Sequence, residues 1–181
     1  FTLSAVAALT LGIGANTAIF SVINAVLLKP LAFPDADRIV ILGTHGPQGD
    51  NRGGSPAKFQ HWRAQTDVLR DVSAFRTNVV NYTGGGVPEQ FQAAQVSADY
   101  FHLFGVPVLR GRTFTAAEDR PGGERVVVLS RATWVRIFAS RDDVLGRPIS
   151  LSGEPYTIVG IADAPAALAE IDRIPDVWIP F

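Results

Sequence analysis

The first 28 residues, Phe1 to Leu28, contain no Asp, Glu, Lys, Arg or His, and all 33 acidic and basic side chains lie after them. An α-helix rises about 1.5 Å per residue, and about 20 apolar residues cross a hydrocarbon core of roughly 30 Å. The run is long enough to span a bilayer, with about two turns to spare for tilt or projection. In lipid only a helix would satisfy its backbone polar groups. A secretory signal has a shorter apolar centre, of about 7–15 residues. A core helix of this length would be out of proportion in so small a domain. The run predicts a transmembrane helix over 1–28, followed by one outer domain over 29–181.

The polar and small residues inside that run carry a second expectation. Ala8, Gly12 and Asn16 recur four apart on one helical face, as do Gly14 and Ala18, with Ser21 and Ala25 continuing that second face. Small side chains at this spacing let two membrane helices approach closely, and an Asn amide can hydrogen-bond across the contact. Gly12, Gly14, Asn16, Ala18 and Asn24 are therefore the candidate helix-packing residues. The abrupt end at Lys29-Pro30 marks the exit from the bilayer. Because the chain begins within the apolar run and contains no methionine, it reads as a fragment of a larger protein.

Beyond Leu28 the composition narrows the function classes. The formal net charge is −1 and the sequence pI is about 6.3, so no basic footprint for nucleic acid is present. The absence of cysteine removes disulfides and thiolate metal sites from these residues. Local patterns give mixed α and β structure. ADRIVILGT reads as a short buried strand. Ser55-Pro56 is a helix start, a capping hydroxyl followed by proline at the first helical position. The stripe Phe59, Trp62, Thr66, Leu69 and Val72 follows at spacings of three and four, with a break at Thr66-Asp67.

SAFRTNVVNYT and EQFQAAQVSA flank the glycines 84–86 as a hairpin. Ser97 is expected to cap the short helix ADYFHLFG, and VPVLRGRTF runs on as extended chain. RVVVLS reads as a buried strand, after which Ser130 caps a helix with the apolar face Trp134, Ile137 and Phe138. RPISLSGEPYTIVGIAD is a hairpin turning at Gly153-Glu154, and DVWIPF is a last strand. This alternation without a long βαβ rhythm predicts an α+β domain.

Catalytic constellations are missing. His45, His61 and His102 stand alone, without a second His or Cys at metal-ligand spacing. Asp142-Asp143 reads as a solvated polar turn. The glycines 84–86 lack any GxxxxGK[ST] context, and Ser130 lacks the GxSxG elbow. The sequence predicts a non-enzymatic segment with no catalytic, cofactor or metal residues.

Five stretches, in this order, resemble one family: TLGIGANTAIFSVINAVLLKPLAFPDADRIV, SPAKFQHWRAQTDVLRDVSAFR, QVSADYFHLFGVPVLRGRTFTAAED, VVVLSRATWVRIFASRDDVLGRPISLSGEPYTIVGIAD and PDVWIPF. They look like the first part of the permease subunits of MacB/FtsX-type ABC transporters, with a MacB-like periplasmic core domain. The resemblance implies a first membrane helix and a mixed α/β extracytoplasmic domain that is incomplete at the C-terminus. It implies a bacterial inner-membrane location, with residues 29–181 on the periplasmic or extracellular side. It further implies an ABC-type ATPase partner, separate or fused, and a homodimeric or pseudo-dimeric permease in the lipid bilayer. The permease would couple cytoplasmic ATP hydrolysis to movement of the outer domain, in efflux or mechanotransmission. The competing expectation is a single-helix, membrane-anchored sensor or binding domain with no transporter partner.

Overall fold

The computed structural model describes residues 2–24, 33–47, 49–51, 53–84, 87–166, 168 and 173–181. Helix α1 (Thr2–Ile23) follows from the uncharged run. The exit at Lys29-Pro30, the boundary at 28/29, Ala25, Gly85 and Gly86 lie outside the described residues.

After a one-turn 3-10 helix at Ala36–Arg38 come a two-stranded hairpin, β1 (Thr44–Gly46) and β2 (Gly49–Asn51), and helix α2 (Pro56–Arg63). The rest is β3 (Phe75–Tyr82), β4 (Glu89–Val96), α3 (Tyr100–Leu103), β5 (Val108–Gly111), β6 (Val126–Ser130), α4 (Arg131–Phe138), β7 (Pro148–Leu151), β8 (Glu154–Ala162) and β9 (Val177–Ile179). Sheet and helices mix as an α+β domain. Seven strands pair in the order β5-β8-β6-β9-β4-β3-β7. β7 also pairs with the first half of β8, so the last six strands of that order, β8 to β7, form a closed ring of pairings, and β5 is added beside the second half of β8. The ring closes where Tyr82 meets Leu151, with Ser152 N–H donating to Asn81 O at 2.7 Å.

The central strands are buried on both faces, which explains their lack of polar alternation. On β6, Val126 and Val128 enter one core and Val127 and Leu129 the other; on β9, Trp178 enters the first and Val177 and Ile179 the second. The first core gathers Phe33, Tyr100, Phe101, Phe104 and Phe114 around Trp178. The second holds Tyr82, Phe91, Ile149, Leu151 and Ile158, with the α4 face Trp134, Ile137 and Phe138 packed against it.

A bulge in β8 explains one oddity of patterning. Val127 pairs with Ile158 and Val128 with Gly160, leaving Val159 extra. Ile158 and Ile161, three apart, therefore face the same core. At this bulge β5 crosses so closely that a Cβ on Gly160 would lie 2.1 Å from Arg112 O, so only glycine fits.

Most local expectations match the structure. Ser55 Oγ accepts from Lys58 N–H with Pro56 at the helix start, Ser130 Oγ accepts from Thr133 N–H, and β3 and β4 form the hairpin around Gly84. Four readings need correction. ADRIVILGT is not a buried strand: Ala36–Arg38 is a 3-10 turn, 39–43 has no regular structure, and Val40 and Ile41 are 63% and 71% exposed. Ala36 and Ile39 of this stretch pack against the core, and with no strand paired to 39–43 among the described residues the β-propensity is unused.

The Phe59-to-Val72 stripe is helical only to Arg63, because Ala64 is the C-cap and a turn follows at 66–68. Ser97 does not cap α3. Its hydroxyl accepts from Ala74 N–H at 3.1 Å and bonds Ser73 Oγ at 3.0 Å, which leaves Asp99 at the N-cap without a side-chain cap. The second hairpin turns one residue earlier than expected, at Ser152 and Gly153, which both have positive φ as a two-residue hairpin turn needs.

Candidate functional site

Two features are candidates for function: the uncovered helix α1 and the polar ties that hold the outer domain together. The 22 residues of α1 have a mean hydropathy of 1.8 over their most apolar window, none of it buried against protein. Leu3, Leu11, Ile13 and Phe20 are exposed, a side-chain distribution that lipid or other helices would cover. Thr10, Thr17 and Ser21 turn their hydroxyls back onto the carbonyls of Val6, Ile13 and Thr17 at 2.7–2.8 Å. These groups are satisfied within the helix and present little polarity to the outside.

Asn16 and Asn24, by contrast, have no side-chain partner among the described residues, and both are exposed. A Cβ on Gly12 or Gly14 would meet nothing within 4 Å, so each leaves an open notch. At about 100° per residue, Gly12 and Asn16 share one face, Gly14 and Ala18 lie on the far side, and Asn24 lies between.

In the outer domain, Glu118 is a buried charge. Only 6% exposed, it accepts from Arg112 Nη1 at 2.9 Å and Nη2 at 2.7 Å, and from Thr115 N–H at 2.7 Å and Oγ1 at 2.9 Å. The Arg112 hydrogen bonds, joined by those of Thr115 and opposed by burial, hold its pKa down at about 2. Thr115 N–H to Glu118 and Glu118 N–H back to Thr115 Oγ1 form a reciprocal capping box.

Asp176 is a second hub. Its carboxylate accepts from Gln92 N–H at 2.9 Å, Thr133 Oγ1 at 3.1 Å and Arg136 Nη2 at 2.9 Å, tying β4, α4 and the start of β9. Arg63, at the end of α2, bridges Asp99 at 3.1 Å and Asp119 at 3.7 Å. None of these groups lines the cavity beside Phe75 and Tyr100 or the one beside Tyr82 and Phe138. The sequence reading missed all three ties; only the Thr115-x-x-Glu118 spacing carried a local signal for one of them.

The candidates for chemistry do not converge. His45 bonds Asp50 at 2.6 Å, His102 lies 3.5 Å from Asp71, and His61 is exposed on α2. Asp142 pairs with Arg110 at 2.9 Å, while Asp143 is shared by Arg141 and Arg147; the Arg141 hydrogen bond, above all, lowers the Asp143 pKa. Ser130 is buried and bonded to Thr133 as a cap. Among the described residues no three His, Cys, Asp or Glu side chains gather as a metal site.

Comparison with known proteins agrees with this architecture. The extracellular domain of the noncanonic ABC-type transporter YknZ from Gram-positive bacteria superposes with a TM-score of 0.58 at 16% identity, over 71% of this chain and 63% of that one. The periplasmic region of MacB from Actinobacillus actinomycetemcomitans gives 0.57 at 17% identity, over 68% and 53%. At these identities the likeness is one of fold. Among curated proteins, the macrolide export ATP-binding/permease protein MacB of Escherichia coli K12 is 31% identical over 86 residues, 48% of this chain. Its counterpart in Salmonella paratyphi A is 27% identical over 97 residues, 54% of this chain. The chain spans only 13% and 15% of the length of these two relatives. The family model described as the MacB-like periplasmic core domain matches residues 2–181, and the chain belongs to that family.

Proposed function

We propose that this chain is the first membrane helix and outer domain of the permease subunit of an ABC-type transporter. Its task is to carry motion driven by cytoplasmic ATP hydrolysis, in a partner subunit or domain, to the extracytoplasmic side. The observation that carries this reading is the succession of two parts. An uncharged helix, covered by none of the described residues, leads into a sheet-rich domain, and the MacB-like periplasmic core family matches residues 2–181.

In this reading residues 1–28 span the inner membrane and 29–181 lie on its outer side. Gly12, Gly14, Asn16, Ala18 and Asn24 pack α1 against other helices of a homodimeric or pseudo-dimeric permease. An anchor working alone has no use for two notched faces and two unpartnered amides, which is the argument against a single-helix sensor.

The test uses the full-length permease reconstituted with its ATPase in lipid vesicles. A spin label at Val68→Cys, 82% exposed on the outer domain, reports the distance between protomers. ATP with vanadate should change that distance. Inserting three glycines between Leu27 and Leu28 should abolish the change while ATP hydrolysis continues. A label distance indifferent to nucleotide in the uninserted protein would refute the coupling role.

A further inference from the structure

Only eight residues separate Asn24, the last described position of the membrane helix segment, from Phe33. Phe33 is already fully engaged. It is 7% exposed and meets the Phe104 ring edge-on at 5.2 Å between centroids. The two residues after it are fastened as well. Pro34 lies so close to Gly105 that a Cβ there would be 2.6 Å from Pro34 Cγ, and Asp35 accepts from Arg70 Nη2 at 3.1 Å. Gly105 has φ +61°, so the backbone that receives Pro34 needs glycine on two counts.

From Phe104 the ring contacts continue without a gap. Phe104 lies 4.8 Å from Tyr100, Tyr100 lies 5.8 Å from Phe101, and Phe101 lies 5.6 Å from Trp178. Trp178 belongs to β9, which is paired on both sides, by β4 and β6. Aromatic rings packed at these distances are stiff bodies that transmit displacement instead of absorbing it. Phe33 is thus the first described residue after the membrane segment to enter the core, and its ring contacts lead to the middle of the sheet.

We infer that Phe33, seated on Phe104, is the mechanical coupling residue through which movement of the membrane helix is delivered to the outer domain. The inference rests on the coupling role proposed above and adds where the load enters. Ile39 still packs against the first core, but residues 40–51 offer no such attachment: Val40 and Ile41 are exposed and, among the described residues, the β1–β2 hairpin pairs with itself. Phe33 is a positioning residue, and its removal should act on movement of the domain and not on nucleotide turnover.

The experiment again uses the full-length permease with its ATPase in vesicles and the Val68→Cys label. Phe33→Ala is compared with Phe114→Ala. Phe114 is equally buried, at 5%, and touches the same cluster through Phe101 at 5.5 Å, but it lies beyond Phe104 in the ring chain. Phe33→Leu keeps the site filled if the alanine variant fails to fold. The expected result is that Phe33→Ala loses most of the ATP-dependent distance change and keeps its ATPase rate within twofold, whereas Phe114→Ala retains the change and Phe33→Leu loses part of it. An undiminished distance change in Phe33→Ala or Phe33→Leu would overturn the inference and leave the coupling role standing. Equal loss in the Phe33 and Phe114 variants would also overturn it, since general loosening of the core would then be the cause. A wild-type protein with no ATP-dependent change would remove the coupling role itself and this inference with it.

Discussion

Replacing Glu118 by glutamine isolates a buried charge of the outer domain. Four hydrogen bonds converge on its carboxylate, from Arg112 and Thr115, and they hold its pKa at about 2 against an ordinary 4.5. At 1.36 kcal/mol per pH unit, this corresponds to a ceiling of roughly 3.4 kcal/mol. Arg112 is 49% exposed, so solvent screening and side-chain entropy reduce the expected contribution to about 1.5–3 kcal/mol. The folded state depresses this pKa, so the stabilisation is complete above pH 4.5 and disappears as pH falls towards 2. About 2 kcal/mol of the ceiling would already be lost by pH 3.

Urea unfolding of the outer domain, followed by tryptophan fluorescence at pH 6, 4 and 3, measures this directly. Wild type should be about 1.5–3 kcal/mol more stable than Glu118→Gln at pH 6, and by pH 3 the gap should have shrunk to less than half, closing only as pH falls towards 2. Parallel curves, with a constant gap at all three values, would show that the carboxylate charge is not what matters. A gap below about 0.5 kcal/mol at pH 6 would place the tie among ordinary surface pairs.

Asp176→Ala strips an acceptor from Gln92 N–H, Thr133 Oγ1 and Arg136 at once, and should lower stability by about 2–4 kcal/mol, with Asp176→Asn recovering part. A denaturation midpoint within error of wild type for the alanine variant would contradict the hub. In the membrane, Gly12→Leu fills the open notch on α1 and should reduce cross-linking between permease protomers, while Val6→Leu, between the two notched faces, should not. Unchanged cross-linking in Gly12→Leu would count against helix packing through that face.

What the sequence made legible was local. The Ser55 and Ser130 caps and the β3–β4 hairpin depend on residues within a turn or two of each other and appear where expected, and the β7–β8 hairpin forms with its turn one residue earlier. The failures share the opposite property. ADRIVILGT has the composition of a strand, but pairing needs a neighbour, and none lies beside 39–43. Ser97 precedes α3 as a cap would, yet Ala74, 23 positions earlier, claims its hydroxyl. The closed ring depends on Asn81 meeting Ser152, 71 positions apart, and the Asp176 hub on contacts 40 or more positions away. Neither leaves a periodic trace. The aromatic residues from Phe33 to Trp178 were not singled out in the sequence, and their order of contact comes only from the packing.

The position of β9 bears on how the domain is made. It lies between β4 and β6, and Gln92 and Asp176 are bonded across a separation of 84 residues. The sheet therefore has a vacant central lane until residues 177–179 arrive, with both cores open to water along it. A chain emerging from its N-terminal end can form the β3–β4 and β7–β8 hairpins early, because their contacts are near in sequence. The lane fills only when Trp178 has emerged, so maturation of the domain is a late, single closing event with a large loop already formed. Until then the half-built sheet exposes two unpaired inner edges, and this is the interval in which the nascent protein is most open to mispairing.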